Sequence, residues 1–177
     1  MLLNKYPVLD KGFVARIDSS GGSTKLNEIA IEYYKVIDGK FLTDLSSLTL
    51  LIKCPLFVQL NLSLFGFKIV TIPSQDELMA YEPNVSEVGA KSLELSKAIS
   101  ADMKQTSDAL LINPKAYQSD GCDRFISQIL TPINTYTSVI VYGMYNDWCR
   151  YIRQKGVPYS MASYINAVDQ LMKAEWR

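Results

Sequence analysis

Histidine is absent from this chain of 177 residues. That excludes every serine or cysteine nucleophile activated by imidazole, histidine-ligated zinc or haem, and the imidazole pH switch. Cysteine is scarce. Cys54, Cys122 and Cys149 stand far apart with no CxxC spacing. Buried thiols in a reducing compartment are the plain account, because an odd count argues against a secreted disulfide framework. No metal site is expected. Net charge is lacking too: 18 Lys+Arg balance 18 Asp+Glu. With no field of one sign to hold a polyanion, direct nucleic-acid binding is not expected. Long apolar runs are also missing. Leu48-Thr49-Leu50-Leu51-Ile52 falls far short of the ~20 residues of a membrane helix, and the start, Met1 to Pro7, has no apolar stretch of a signal peptide. These exclusions point to a cytoplasmic protein.

Core-forming residues are plentiful. Hydrophobic residues make up 48% and charged residues 20%, the balance of a globular protein and not of a disordered one. A chain of this length buries roughly 70% of the surface its unfolded form exposes. No internal repeat, low-complexity tract or composition break appears, so one domain over residues 1–177 is expected.

Gly12 to Ile17 alternates weakly and reads as a short strand before the turn cluster Asp18 to Ser23. Leu26, Ile29, Ala30, Tyr33, Val36 and Ile37 recur at helical spacing, with Ser23 or Thr24 as cap and Asp38-Gly39 as stop. Ser47 to Lys53 is rich in strand formers. Pro55 suits the first turn of a helix over Leu56 to Leu64, and Phe67 to Ile72 reads as another strand. Residues 73–86 read as an exposed loop. Ser86 can cap a helix from Glu87 to about Lys104 whose stripe is Val88, Leu95, Ile99 and Met103. Gln105 to Gly121 reads as irregular. Phe125, Ile126, Ile129 and Leu130 mark a short helix that Pro132 breaks. The last helix carries Met161, Tyr164, Ile165, Val168, Leu171 and Met172 on one stripe.

Three groups of residues have the composition of a site. Asp18 to Lys25 lies between a strand and a helix and could cradle a phosphate on its amides. It lacks the Gly-Lys pair of a P-loop and is more simply a turn with a cap. It also looks superficially like the first phosphate loop of the sugar-kinase and actin-like ATPases, which need two lobes. Asp44, Asp76 and Glu77 would serve acid–base work only if folding gathers them; otherwise they are solvated charges. The segment Asp147 to Lys155 mixes Trp148 and Tyr151 with Arg150, Arg153 and Lys155. Such a mixture can stack on a planar ring and hold an anion, or split into an aromatic core face and a solvated charged face.

Three segments, in order, resemble the flavin-dependent thymidylate synthases. Pro7 to Val14 resembles the strand that opens that family. Leu48 to Val58 resembles its strand-to-helix passage "F-x-I-K-A-P-I-F-V". The run from Ile129-Leu130 through Tyr136-Thr137 to Asp147-Trp148-Cys149-Arg150-Tyr151-Ile152 resembles "LP…YT" followed by "LRDW-x-H-Y". The resemblance implies an α+β fold, an antiparallel sheet flanked by helices, and a homotetramer with flavin and nucleotide sites between subunits. It implies reductive methylation of dUMP to dTMP with methylenetetrahydrofolate, FAD and NADPH. In such a reaction the flavin carries the redox step and the protein positions the partners.

The polar signature of that family is replaced. Aligned from Pro55, its R-H-R falls on Leu64-Phe65-Gly66, and the Ser, Asn and Glu of S-x-N-E-x-S-x-R fall on Ile69, Thr71 and Ile72. The next Ser matches Ser74, and the last Arg falls near Asp76. A glutamine becomes Asn61, an upstream histidine falls near Gly39, and a glutamate is kept as Asp44. The "LR" arginine becomes Asn146 and the "W-x-H" histidine becomes Arg150. A nucleotide-contacting arginine becomes Lys155, which keeps the charge but loses the bidentate fork. Losing two or three charge-assisted bonds, each ~1.5–3 kcal/mol, weakens binding by orders of magnitude.

By that resemblance, Asn146 and Arg150 stand where the cofactor FAD would be held, and Asn61, Ser74 and Lys155 where a pyrimidine nucleotide would be. The expectation is a divergent relative with a degenerate active site, acting as a binding, regulatory or partner subunit in a homo-oligomer or beside an active paralogue. One alternative is altered pyrimidine-nucleotide chemistry, such as flavin- or folate-dependent methylation or hydroxymethylation. Another is an interaction protein that uses Tyr142, Tyr145, Trp148 and Tyr151 as an interface, since Tyr and Trp are common anchors.

Overall fold

A computed structural model describes residues 3–20, 46–72, 79–88, 90–120 and 132–175. The architecture is α+β. Strands β1 (Leu3–Val8), β2 (Gly12–Ser20), β3 (Ser47–Pro55), β4 (Lys68–Ile72) and β5 (Tyr136–Met144) form one sheet in the order β1-β2-β3-β5-β4. Every neighbouring pair is antiparallel. The described helices are α1 (Leu56–Ser63), the single turn α2 (Val85–Val88), α3 (Leu93–Ser119), α4 (Tyr145–Ile152) and α5 (Tyr159–Glu175). None of them is long and apolar enough to cross a membrane.

The sheet has a buried face and a half-open one, because strand side chains alternate sides. Leu48, Leu50, Ile52 and Cys54 of β3 meet Val139 and Val141 of β5 and Val14 of β2 beneath α1, α4 and α5. On the other face Leu51 and Ile140 are half-buried and Val70 is exposed. The stripe expected on the last helix is buried as read: Tyr164, Ile165, Val168, Leu171 and Met172 close the core, with Met161 packed at its margin.

Two close approaches set this packing. A Cβ on Gly12 would lie 2.0 Å from the Tyr164 hydroxyl and 2.8 Å from the carbonyl oxygens of Lys53 and Val8. A Cβ on Gly143 would lie 2.4 Å from the Phe67 ring. That ring packs on Trp148 with centroids 4.2 Å apart, and Trp148 donates its indole N–H to Leu48 O at 3.1 Å.

Several expectations are corrected. Pro7 to Val14 is not one strand: the chain reverses at Leu9 to Lys11, and Pro7 pairs with Phe13 across a hairpin. Leu9 sits there at φ 57, an uncommon conformation for a branched side chain that tight reversals impose. The strand expected from Gly12 runs on to Ser20, where it pairs with Ser47. The helix expected from Glu87 to Lys104 is two helices. Asn84, not Ser86, caps the first, accepting from the amides of Ser86 and Glu87. Ser92 caps the second by accepting from Leu95 N at 3.1 Å.

The stretch from Gln105 is helical through Ser119. The stripe expected on this long helix faces outward at Leu95 and Met103, and the buried positions are Ser96, Ser107 and Leu111. Polar contacts attach it: Ser100 donates to Pro83 O at 2.8 Å, and Asn134 donates to Ser107 Oγ at 2.8 Å. A hydrophobic period cannot reveal a face held by hydroxyls. The helix expected over Leu26 to Ile37 with its caps Ser23, Thr24 and Asp38-Gly39, the helix around Phe125 to Leu130, the carboxylates Asp44, Asp76 and Glu77, and Cys122 lie outside the described residues.

Candidate functional site

The site is built where the start of α1 meets the lead into β5. Pro55 has no N–H to offer, and the next two amides of α1 need acceptors. Leu56 N donates to Thr135 O and Phe57 N to Ile133 O, both at 2.9 Å. The same lead pairs with residues 79–81: Tyr81 N donates to Asn134 O at 2.8 Å and Tyr136 N to Met79 O at 2.7 Å. Asn134 then spans to α3, donating to Ser107 Oγ and to Tyr81 O. Backbone from three sequence regions is thereby fixed around one spot.

Charged side chains surround it. Lys11, from the β1–β2 turn, donates to Ala80 O at 3.1 Å and to Glu82 at 3.0 Å, and lies 3.4 Å from Asp10. Lys104 of α3 reaches the other oxygen of Glu82 at 2.9 Å. These two ammonium donors hold the Glu82 carboxyl below its ordinary range. Tyr136 donates to Asp10, and Tyr164, its neighbour, donates to Lys53 O at 2.9 Å. Burial foremost, then the Asp10 carboxylate, pushes the Tyr136 hydroxyl up. Burial does the same to Tyr164. These hydroxyls are held as neutral donors and not poised as bases.

Between this network and the surface lies a hollow of about 390 Å³. Its walls are Phe57 of α1, Tyr81 and Pro83 of the preceding loop, Glu87 of α2, Met103 of α3, Ile133 and Asn134, and Pro158 to Ser160 at the start of α5. Phe57 and Tyr81 form a corner, with ring centroids 6.1 Å apart and planes crossed at 61°. Glu87 is fixed twice. It accepts from the Tyr81 hydroxyl at 2.6 Å and from Asn84 N at 2.8 Å. With Asn84 accepting from Glu87 N, the second contact completes a reciprocal helix cap. Burial, then the bond to Glu87, raises the Tyr81 hydroxyl's pKa. The mouth is unusually apolar for surface: Met103 is 43% exposed, Ile133 63% and Tyr159 64%. Another hollow, about 440 Å³, runs beside Ala101, Lys104, Asp108 and Ile112. Its described wall is α3 alone, so it is a surface groove.

The residues singled out from sequence lie elsewhere. Asn61 is locked in a two-way amide pair with Gln154, at 3.1 and 3.3 Å. Arg150 donates to Asp147 at 2.6 Å and to Phe65 O at 3.2 Å. Asn146 and Lys155 are exposed, Asn146 in the first turn of α4 and Lys155 three residues beyond its end. Ser74 lies outside the described residues. Neither described hollow is lined by any of these residues.

The four-residue aromatic interface is corrected. Trp148 and Tyr151 are fully buried in this chain's own core, Tyr151 edge-on to Trp148 at 6.1 Å. Tyr142 and half-buried Tyr145 keep some exposure. The segment Asp147 to Lys155 does split into an aromatic inner face and a charged outer one, with Arg150, Arg153 and Lys155 exposed. Cys54 is buried, which pushes its thiol up to about 12 and leaves it inert as a nucleophile at neutral pH. Among the described residues no group of three or more His, Cys, Asp or Glu could hold a metal ion.

Tyr81, Glu87, Asn134 and Tyr159 were not legible as a site. The one local signal was Asn84-x-x-Glu87, the spacing of a reciprocal cap, which fixes a carboxylate without saying what it faces. No protein-family model matches this chain, and no curated protein matches it.

Proposed function

We propose that this chain is a binding protein and not a thymidylate synthase. In this reading it is a divergent relative of the flavin-dependent scaffold that seats a small ligand in the hollow between α1, α3 and α5, alone or as one subunit of an oligomer. The observation that carries the reading is the hollow itself. Its walls come from four helices and the two segments that lead into α2 and β5, the one carboxylate among its described lining residues is fixed by two hydrogen bonds, and three exposed apolar side chains ring its mouth. A fixed polar group in an apolar concavity is the usual form of a ligand pocket, and apolar surface kept at a mouth stabilises a free protein less than it helps a complex.

Two further observations support it. Asn61 and Arg150, the best substitutes for flavin and nucleotide ligands, are engaged with Gln154, Asp147 and Phe65 O. The relation to the flavin enzymes is supported by the direct passages from β3 into α1 at Pro55 and from β5 into α4 at Met144, where the resembling segments fall.

A melting screen with small ring-bearing fragments tests the proposal. Fragments should raise the melting temperature of the native protein and fail to raise that of Ile133→Asp, which places a charge at the exposed mouth. In parallel, protein mixed with FAD and dUMP and then desalted should show no visible flavin absorbance. Retained flavin, with fragments acting equally on Ile133→Asp, would overturn the reading in favour of altered pyrimidine-nucleotide chemistry.

A further inference from the structure

We infer that the hollow takes a free organic cation: an ammonium group on a small ring-bearing body. This rests on the reading that the hollow is the ligand site, and it names the chemistry of the ligand.

The charge arrangement comes first. The two described donors to Glu87, the Tyr81 hydroxyl and Asn84 N, both reach Oε2. No described donor reaches Oε1, and among the described residues Glu87 has no cationic partner. Nearby, Lys11 and Lys104 are both committed to Glu82, and Lys11 also to Asp10. Among the described residues Asp10 and Glu82 thus have ammonium partners, and Glu87, which has none, faces the hollow. No Lys or Arg is among the described lining residues. Burial first, then the bond to Glu87, raises the Tyr81 hydroxyl's pKa, and the charges of Glu87 and Asp10 add to it.

The walls decide which kind of cation. Aromatic ring faces are negative and attract a weakly hydrated ammonium at short range. Phe57, Tyr81 and Tyr159 supply rings, and Met103 supplies a polarisable thioether. A hard cation such as Mg²⁺ or Ca²⁺ needs about six or more oxygen ligands, and one carboxylate among rings does not provide them. About 390 Å³ accommodates a body larger than the ammonium group alone, and a second ring can stack in the Phe57–Tyr81 corner.

Calorimetric titration of the whole chain with benzyltrimethylammonium tests the inference, with benzyl alcohol as the uncharged ring control. Glu87→Gln removes the charge while an amide can still accept from Tyr81 and serve the cap. Tyr159→Ala removes an exposed ring without touching the core. Benzyltrimethylammonium should bind the native protein and bind at least tenfold more weakly to each variant, with affinity falling as salt rises. Equal binding of benzyl alcohol, unchanged in Glu87→Gln, would overturn the cation while leaving the hollow a ligand site. Binding of neither probe, with a positive fragment screen, would likewise overturn only the ligand class; a negative screen would remove the underlying reading too. Binding of a trimethyllysine peptide without binding of benzyltrimethylammonium would overturn the free ligand in favour of a protein side chain.

Discussion

Adding one methyl group at Gly12 should destabilise the protein through Tyr164. In an ordinary strand, Gly→Ala is neutral or stabilising, because alanine narrows the unfolded ensemble. At Gly12 the new Cβ would meet the Tyr164 hydroxyl at 2.0 Å and two carbonyl oxygens at 2.8 Å. Tyr164 is 1% exposed, so its hydroxyl has no open space to enter. Moving it breaks the bond to Lys53 O and strands buried polar groups, a cost of about 1–3 kcal/mol. Crowding the two carbonyls adds about 1–3 kcal/mol. Gly12→Ala should therefore lose about 2–6 kcal/mol in urea unfolding. Tyr164→Phe removes the nearest obstacle and alone should cost about 1 kcal/mol. The double variant should be more stable than the two single losses predict, by at least ~1 kcal/mol. Strict additivity, or a Gly12→Ala variant as stable as the native protein, would refute the account of how α5 is seated on the β1–β2 hairpin.

Alkaline pH should weaken the fold. Burial moves the Cys54 thiol from 9.0 to about 12. The unfolded chain releases this proton first, so between those values the native state holds more protons and stability falls as pH rises. The loss is at most about 1.4 kcal/mol per pH unit from this group, and it is absent below pH 9. Urea midpoints at pH 8 and pH 10.5 check it, and Cys54→Ala should flatten the slope. Thr135→Val should be neutral or stabilising by up to about 1 kcal/mol, because the buried Thr135 Oγ1 has no hydrogen-bond partner among the described residues and the swap removes a desolvated hydroxyl at similar volume. A loss above about 2 kcal/mol in thermal unfolding would show that the hydroxyl is satisfied after all.

The strands and the closing helix were legible because their signals are local. Ser47 to Lys53 is rich in strand formers, and Tyr164, Ile165, Val168, Leu171 and Met172 keep helical spacing on a face that is in fact buried. The long helix was half legible. Its inner face is Ser96, Ser107 and Leu111, docked through Ser100 and Asn134, so the apolar period pointed to the wrong side. The site was hardly legible at all. Phe57, Tyr81, Glu87, Ile133 and Tyr159 are scattered over about a hundred positions and are joined by backbone bonds such as Phe57 N to Ile133 O, which leave no trace in composition. Aromatic density drew attention instead to Trp148 and Tyr151, whose role is the core.

The central claim is that ligands enter at Tyr81, Glu87 and Tyr159, and not at the Asn61 and Arg150 end. Amide chemical shifts of the isotopically labelled chain, followed during addition of benzyltrimethylammonium and then of FAD with dUMP, test it most directly. The account predicts shifts centred on Tyr81, Glu87, Asn134 and Ser160 with the cation, and none with flavin and nucleotide. Shifts gathered at Asn61, Asn146, Arg150 and Lys155 on adding FAD and dUMP, with the hollow silent, would contradict it.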